Sequence, residues 1–291
     1  MPTHILRATI FLILLESPGL FGEPGKLSDS DIISKVDKAL QKLTQMHQEI
    51  RDIHPSLLLL HPIAVVEADS LFIFDVDSSH QRYTFREKEP VPFPMEKGIR
   101  ASFPLASYGG KPTCVVSREV FDSLKGYATI FHEFIHCTQY LTCENRLKQE
   151  LQIAQEAARA KNYSWEINYS FPYQDAEFVK AYSRLLLELA DHDTGTVLHM
   201  RRDLKQRLRQ IDYEYMVWVE WKEGFARFIE NEIRSRIGIE ANRSGNEQPY
   251  NRVTFYYGGE EFIRFLMHHD REQFLDIEAL FKRMVGFADT E

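Results

Sequence analysis

The sequence predicts an α+β fold. Between Ser56 and Ser117, short β-branched and aromatic runs are punctuated by Pro, Gly, Asp and Ser, the texture of a small sheet. From Ser117 to the chain end, apolar residues recur almost throughout at spacings of three and four, the texture of helices. Strands gathered first and helices second separate α+β from a design in which the two alternate.

Composition narrows the class. The chain has 291 residues, 44% hydrophobic and 27% charged, so it can bury a real core and is not a disordered polymer. Fourteen Gly exclude a collagen-like repeat. The formal net charge of −8 argues against a nucleic-acid partner and mildly disfavours acidic substrates. Three Cys cannot staple a disulfide-dense scaffold, and Cys114, Cys137 and Cys143 read as structural.

The first segment has the layout of a secretory signal. A short basic start is followed by the apolar run Ala8–Leu15 and then by Glu16–Gly25, with two Pro and three Gly. The run is too short to span a bilayer, so no stable membrane span is expected. Residues 1–26 are therefore expected to be a signal peptide and linker, placing the protein outside the cell or in a periplasm. A cytoplasmic chain with a docked N-terminus is the alternative. Residues 27–291 read as a single domain, with helix and sheet over 27–117 and mainly helix over 118–291.

Within that domain the cap-rich stretch Ser28–Asp31 opens an amphipathic helix reaching Ile53, with Ile33, Val36, Leu40, Leu43 and Met46 on its apolar face and Pro55 as its stop. Ile63–Val66, Leu71–Phe74, Tyr83–Phe85 and Cys114–Val116 are the expected strands. Further helices are expected over 127–141, near Leu147–Ala160 and Asp175–Asp191, over Trp218–Ile233 and over Thr254–Met267. Asn162–Tyr173 and Asn242–Tyr250 interrupt them.

One segment carries chemistry. Tyr127–Leu141 reads Y-A-T-I-F-H-E-F-I-H-C-T-Q-Y-L. Tyr127, Phe131, Phe134 and Thr138 form one stripe, and His132 and His136 lie four apart on another face. Residues four apart on a helix are neighbours, so both imidazoles can reach one ion, with Glu133 beside them as a base. H-E-x-x-H arises by accident in roughly a few per cent of chains of this kind, so a third ligand is needed to give it weight. Glu223, 87 residues after His136, is the candidate. It lies in W-V-E-W-K-E-G-F-A-R-F-I-E, where the apolar neighbours predict burial, and a buried carboxylate needs a partner. Gly224 and Ala226 are small enough for close approach to the histidine helix. Glu220, Arg227 and Glu230 share the Glu223 face, and one of them could orient a ligand histidine. His192 and His199 are alternative ligands, since His is the commonest metal ligand.

H-E-F-I-H followed by E-G-F-A-R resembles the gluzincin metallopeptidases, the group containing thermolysin, and most closely the aminopeptidase N-like branch. The resemblance implies a zincin-like fold, Zn2+ held by His132, His136 and Glu223, and Glu133 as general base in hydrolysis of peptide bonds. Thr254–Met267 reads T-F-Y-Y-G-G-E-E-F-I-R-F-L-M. It resembles the family's Tyr-x-x-Gly segment and implies that Tyr256, or Tyr257 in a register one residue later, stabilises the oxyanion.

The resemblance covers Ser117–Leu141 and Glu214–Met267 only. The interval between His136 and Glu223 is longer than the family's, and Arg227 stands where thermolysin-like enzymes place an Asp. The edge-strand motif that binds a substrate amino terminus is not found, so aminopeptidase activity is not carried over. The implied partner is a peptide or protein substrate. A catalytically inactive zincin-like domain that binds a peptide or protein is the alternative. His268 and His269 are candidate proton donors, and Asn162, Asn168 and Asn242 are glycosylation acceptors if the source glycosylates.

Overall fold

The computed structural model describes residues 28–290 apart from 78, 80, 81, 192 and 270–273, so the predicted leader and His192 lie outside the described residues. The fold is mixed α+β, with a five-stranded sheet and a helix-rich half. The described residues form two compact units: those within Met1–Thr138 together with Arg236–Ile239, and those within Gln139–Ser235 and Glu240–Glu291.

The first unit begins with α1, Asp29–Ile50. The Ser28 hydroxyl caps it by accepting from the Asp31 backbone N–H at 3.2 Å, and Asp29 and Asp31 complement the positive end of the helix dipole. Its buried face is Ile32, Val36, Leu40, Leu43, Met46 and Ile50. Ile32 therefore replaces Ile33 on the predicted stripe, which sets the spacing at four, four, three, three and four. The helix ends at Ile50, three residues before its expected limit, and a 3-10 turn follows at Pro55–Leu57.

The sheet comprises β1 (Ile63–Glu67), β2 (Ser70–Val76), β3 (Tyr83–Pro90), β4 (Arg100–Leu105) and β5 (Lys111–Ser117), in the order β3-β2-β1-β5-β4. Only the central β1–β5 pairing is parallel among the described strands. β3 extends beyond the predicted Tyr83–Phe85 through the charged residues Arg86–Glu89. It is an edge strand whose exposure alternates, so charge is tolerated there. β4 is the other edge and is not foreseen from sequence. Its Pro104 demotes the run R-A-S-F-P-L as a strand signal, yet an edge tolerates proline.

One face of the sheet buries Ala64, Leu71, Ile73, Ala101, Phe103, Leu105 and Val115. Ile63, Val65, Phe72, Phe74, Cys114 and Val116 alternate with these along the strands and are equally buried on the opposite face. Leu124–Gln139 forms α2, the histidine helix. It packs on α1, with the Phe131 ring 6.3 Å from His47 and the Tyr127 hydroxyl donating to the Ala39 carbonyl at 3.3 Å. At its start Gly126 is obligatory, because a Cβ there would lie 1.7 Å from the Val120 carbonyl oxygen.

The second unit is helical. It contains α3 (Asn145–Glu150), α4 (Gln152–Arg159), α5 (Trp165–Asn168), α6 (Ala176–Glu188), α7 (Thr194–Arg207), α8 (Gln210–Arg236), α9 (Thr254–His269) and α10 (Ile277–Gly286). The helix expected near 147–160 is two helices, broken where Leu151 turns extended. Every residue of α8 from Asp212 to Asn231 is buried. Trp218 packs on Trp165 and Phe281, and Trp221 packs on Phe281 while its ring N–H donates to the Ile277 carbonyl at 2.9 Å. Among the described residues no helix is long and apolar enough to cross a membrane.

The first unit carries an acid-sensitive element. His61 is buried, with its Nε2 2.9 Å from the Thr138 hydroxyl and its ring edge-on to Phe134. Burial pulls its pKa down to about 4. The fold therefore requires the neutral ring. That contribution is complete above the unfolded value near 6.5 and is lost as pH falls from there toward 4. The H61Q variant keeps a donor toward Thr138 without titrating. Its stability, measured by urea unfolding, is expected to fall less than the wild type's between pH 6.5 and 4, by an amount on the order of 2–4 kcal/mol. Parallel pH profiles would contradict this.

Candidate metal centre

Helix geometry makes the first part of the site. One turn apart on α2, His132 and His136 are buried, and their Nε2 atoms lie 3.2 Å from each other. Two imidazole nitrogens each about 2.0–2.1 Å from one tetrahedral ion would stand about 3.3–3.4 Å apart. Glu223 of α8 supplies a third donor. One ligand-capable atom from each of His132, His136 and Glu223 lies within 4.8 Å of the other two, and all three residues are buried. Two imidazoles and a carboxylate at this spacing could hold a metal ion.

Glu133 is fully buried on α2. Burial pushes the Cys114 thiol pKa well up, and the Glu133 carboxylate and Cys137 push it in the same direction. All three cysteines are buried, and none of them forms a disulfide.

In the second unit Tyr256 is buried on α9, and its hydroxyl accepts a hydrogen bond from Arg252 Nη1. The Nη2 of the same guanidinium donates to Glu223 Oε1 at 3.2 Å, and its Nε donates to the Glu166 carbonyl at 2.9 Å. Tyr256, rather than Tyr257, is therefore the tyrosine joined to Glu223. Tyr257 is only half-buried, and Glu261 and Arg243 are its charged neighbours. Burial raises the Tyr256 pKa and outweighs the pull of Arg252, so the phenol is protonated at neutral pH. Burial opposes the charge on Arg252, but the Glu223 carboxylate beside it holds the cation.

Lys222, one residue before Glu223, belongs to a closed ring of four charges, of which Lys222, Glu144 and Glu166 are buried and Lys148 is half-buried. Its Nζ is 2.8 Å from Glu144 and 2.9 Å from Glu166, and Lys148 bridges the same two carboxylates at 2.5 Å each. The Trp218 indole N–H also donates to Glu166 at 3.0 Å. Burial works against the Glu166 anion, yet the two lysines hold its pKa well below the usual range. Gln139, three residues beyond His136, donates to the Lys222 carbonyl at 3.2 Å.

The remaining candidates fall elsewhere. Glu220 is engaged by Arg201 at 2.8 Å and by the Tyr182 hydroxyl at 2.8 Å, so it does not orient a ligand histidine. Arg227 donates to the Asn242 and Ser244 carbonyls, and Glu230 pairs with Arg234. His199 is exposed on α7 and is not among the metal-capable donors. His268 and His269 are exposed at the far end of α9, 12 and 13 residues past Tyr256, which is about 18 Å or more along a helix. They are not proton donors for this centre. The neighbour that a side chain at Gly224 would meet is Gly259 of α9, with the added Cβ 2.5 Å from its Cα. The small residue therefore serves the α8–α9 crossing, where the sequence reading assigns it to the histidine helix.

Arg252 and the lysine–glutamate ring are not foreseen from sequence. Arg252 precedes Tyr256 by one helical turn, and that spacing is the signal that could have found it.

No protein-family model matches the chain, and no curated protein or solved structure matches it.

The α8–α9 crossing can be tested directly. A Cβ at Gly259 would lie 2.1 Å from the Glu220 carbonyl oxygen, whereas one at Gly286 meets nothing within 4 Å. Gly259→Ala is expected to destabilise the protein by about 1–3 kcal/mol in urea unfolding, with Gly286→Ala near neutral. Equal midpoints for the two variants would remove the close approach from the argument.

Proposed function

We propose that the protein is a zinc-dependent peptidase of gluzincin type. The observation that carries this reading is the convergence of His132, His136 and Glu223, brought within 4.8 Å of one another from positions up to 91 apart in the chain. Two histidines one turn apart arise readily in a helix. A buried carboxylate meeting them from a distant helix does not follow from local sequence.

In this reading the three side chains hold the metal, and bound zinc would polarise a carbonyl and make water acidic enough to be deprotonated near neutral pH. The Glu133 carboxylate takes a proton from the attacking water and delivers it to the leaving amide nitrogen. The Tyr256 hydroxyl donates to the oxygen that gains negative charge as the carbonyl is attacked. A dry site strengthens both interactions. The zincin-like fold and an exported location belong to the same proposal, supported by H-E-F-I-H, E-G-F-A and the leader-like residues 1–26.

Metal content comes before activity. Mass spectrometry of the purified wild type is expected to find about one zinc per chain, with Glu223→Ala losing it or binding it far more weakly. Glu133→Gln is expected to keep zinc and to lose turnover of peptides cleaved by the wild type, by at least about 10²-fold. Full turnover in that variant would sink the mechanism. Zinc bound without hydrolysis of any peptide in a broad library would favour the inactive binding domain instead.

A further inference from the structure

We infer that Arg252 is a positioning residue that couples the carboxylate ligand to the oxyanion donor; this rests on the proposed zinc peptidase reading. The three nitrogen positions of its guanidinium face three different acceptors. Nε donates to the Glu166 carbonyl, Nη1 to the Tyr256 hydroxyl and Nη2 to Glu223 Oε1. The fork is planar and rigid, so fixing one edge fixes the other two directions. Glu166 is itself a firm anchor, because Lys148, Lys222 and Trp218 hold its carboxylate.

Two consequences follow at the atoms concerned. Glu223 Oε1 is engaged by Arg252, which orients the carboxylate. The Tyr256 oxygen accepts from Arg252, so its own O–H is directed to another acceptor. The adjacent guanidinium charge pulls on that O–H and makes it a stronger donor. Arg252 lies one turn before Tyr256, and α9 meets α8 through Gly259 and Gly224, so one residue reaches both partners. Lysine cannot replace it, since a single ammonium at the end of a flexible stem does not hold a planar bridge.

The test compares wild type, Arg252→Gln, Arg252→Lys and Tyr256→Phe, using zinc itself as the probe in competition with a chelator. Thermal unfolding of the zinc-free proteins is followed alongside. Arg252→Gln is expected to weaken zinc binding by about 10–100-fold, and Arg252→Lys by about 10-fold despite its retained charge. Tyr256→Phe is expected to keep wild-type affinity and to lower kcat about 10²–10³-fold, with KM nearly unchanged. Adding Tyr256→Phe to Arg252→Lys is expected to cost less than it does alone, because the tyrosine has already lost its positioning.

Wild-type zinc affinity in both Arg252 variants would overturn the inference and leave the peptidase reading standing. Full restoration by Arg252→Lys would overturn the bridging argument, since charge alone would then suffice. Loss of fold in both variants would assign Arg252 to the scaffold and overturn the inference too. A wild type that binds no zinc would overturn the peptidase reading and this inference with it.

Discussion

Charge buried along α8 is the constraint on which the helical unit depends. Asp212, Glu214, Glu220, Lys222, Glu223, Arg227 and Glu230 are all buried on one helix. Leaving one of a buried pair without its partner costs on the order of 3–5 kcal/mol, comparable to much of a domain's net stability. Each charge therefore dictates a neighbour. Arg201 of α7 must reach Glu220, Glu144 and Glu166 must flank Lys222, and Arg252 must reach Glu223. The loop over 242–244 must offer its carbonyls to Arg227. The arrangement of helices around α8 is the solution to those demands, and the aromatic rings fill the space between them.

The two close-packed glycines add a second condition. Gly224 and Gly259 bring the backbones of α8 and α9 together where a Cβ on either side would collide. At that crossing α9 and the turn before it present Tyr256 and Arg252 toward Glu223. A wider crossing would leave Arg252 Nη2 beyond its 3.2 Å contact. Gly224 of E-G-F-A and Gly259 of Y-Y-G-G thus serve one purpose from two segments. They let an arginine–tyrosine pair approach a buried carboxylate.

Sequence and structure agree where the information is periodic. The buried face of α1, the histidine helix and the apolar character of α8 follow from spacing alone. The slip from Ile33 to Ile32 arises because both are isoleucine, and hydropathy cannot choose between adjacent identical residues. β4 is hidden by Pro104, whose cost depends on whether the strand lies at an edge, which is a property of the sheet and not of the run. His132, His136 and Glu223 are legible because each stands in a short pattern with a chemical reason. Arg252 is not, because it directly follows a loop and acts through partners from α5, α8 and α9. The Glu144–Lys148–Glu166–Lys222 ring is hidden for the same reason: pairing between distant segments leaves no local trace beyond the presence of charge.

The phase of α8 sets Glu223 apart from the other buried carboxylates of its helix. Successive residues point about 100° apart around a helix. Lys222 is one step behind Glu223 and faces Glu144 and Glu166. Glu220, nearly one turn earlier, is about 60° off Glu223 and is drawn to Arg201 and Tyr182. Glu230 is nearly in phase with Glu223 but about 10 Å further along the axis, beside Arg234. Rotation of the helix by one residue would place Lys222 where Glu223 now stands. The ring around Lys222 opposes that rotation, because it would separate Lys222 from two carboxylates already removed from water. The structural ion network and the candidate metal ligand are therefore one device: pairing of the lysine fixes the orientation of the glutamate beside it.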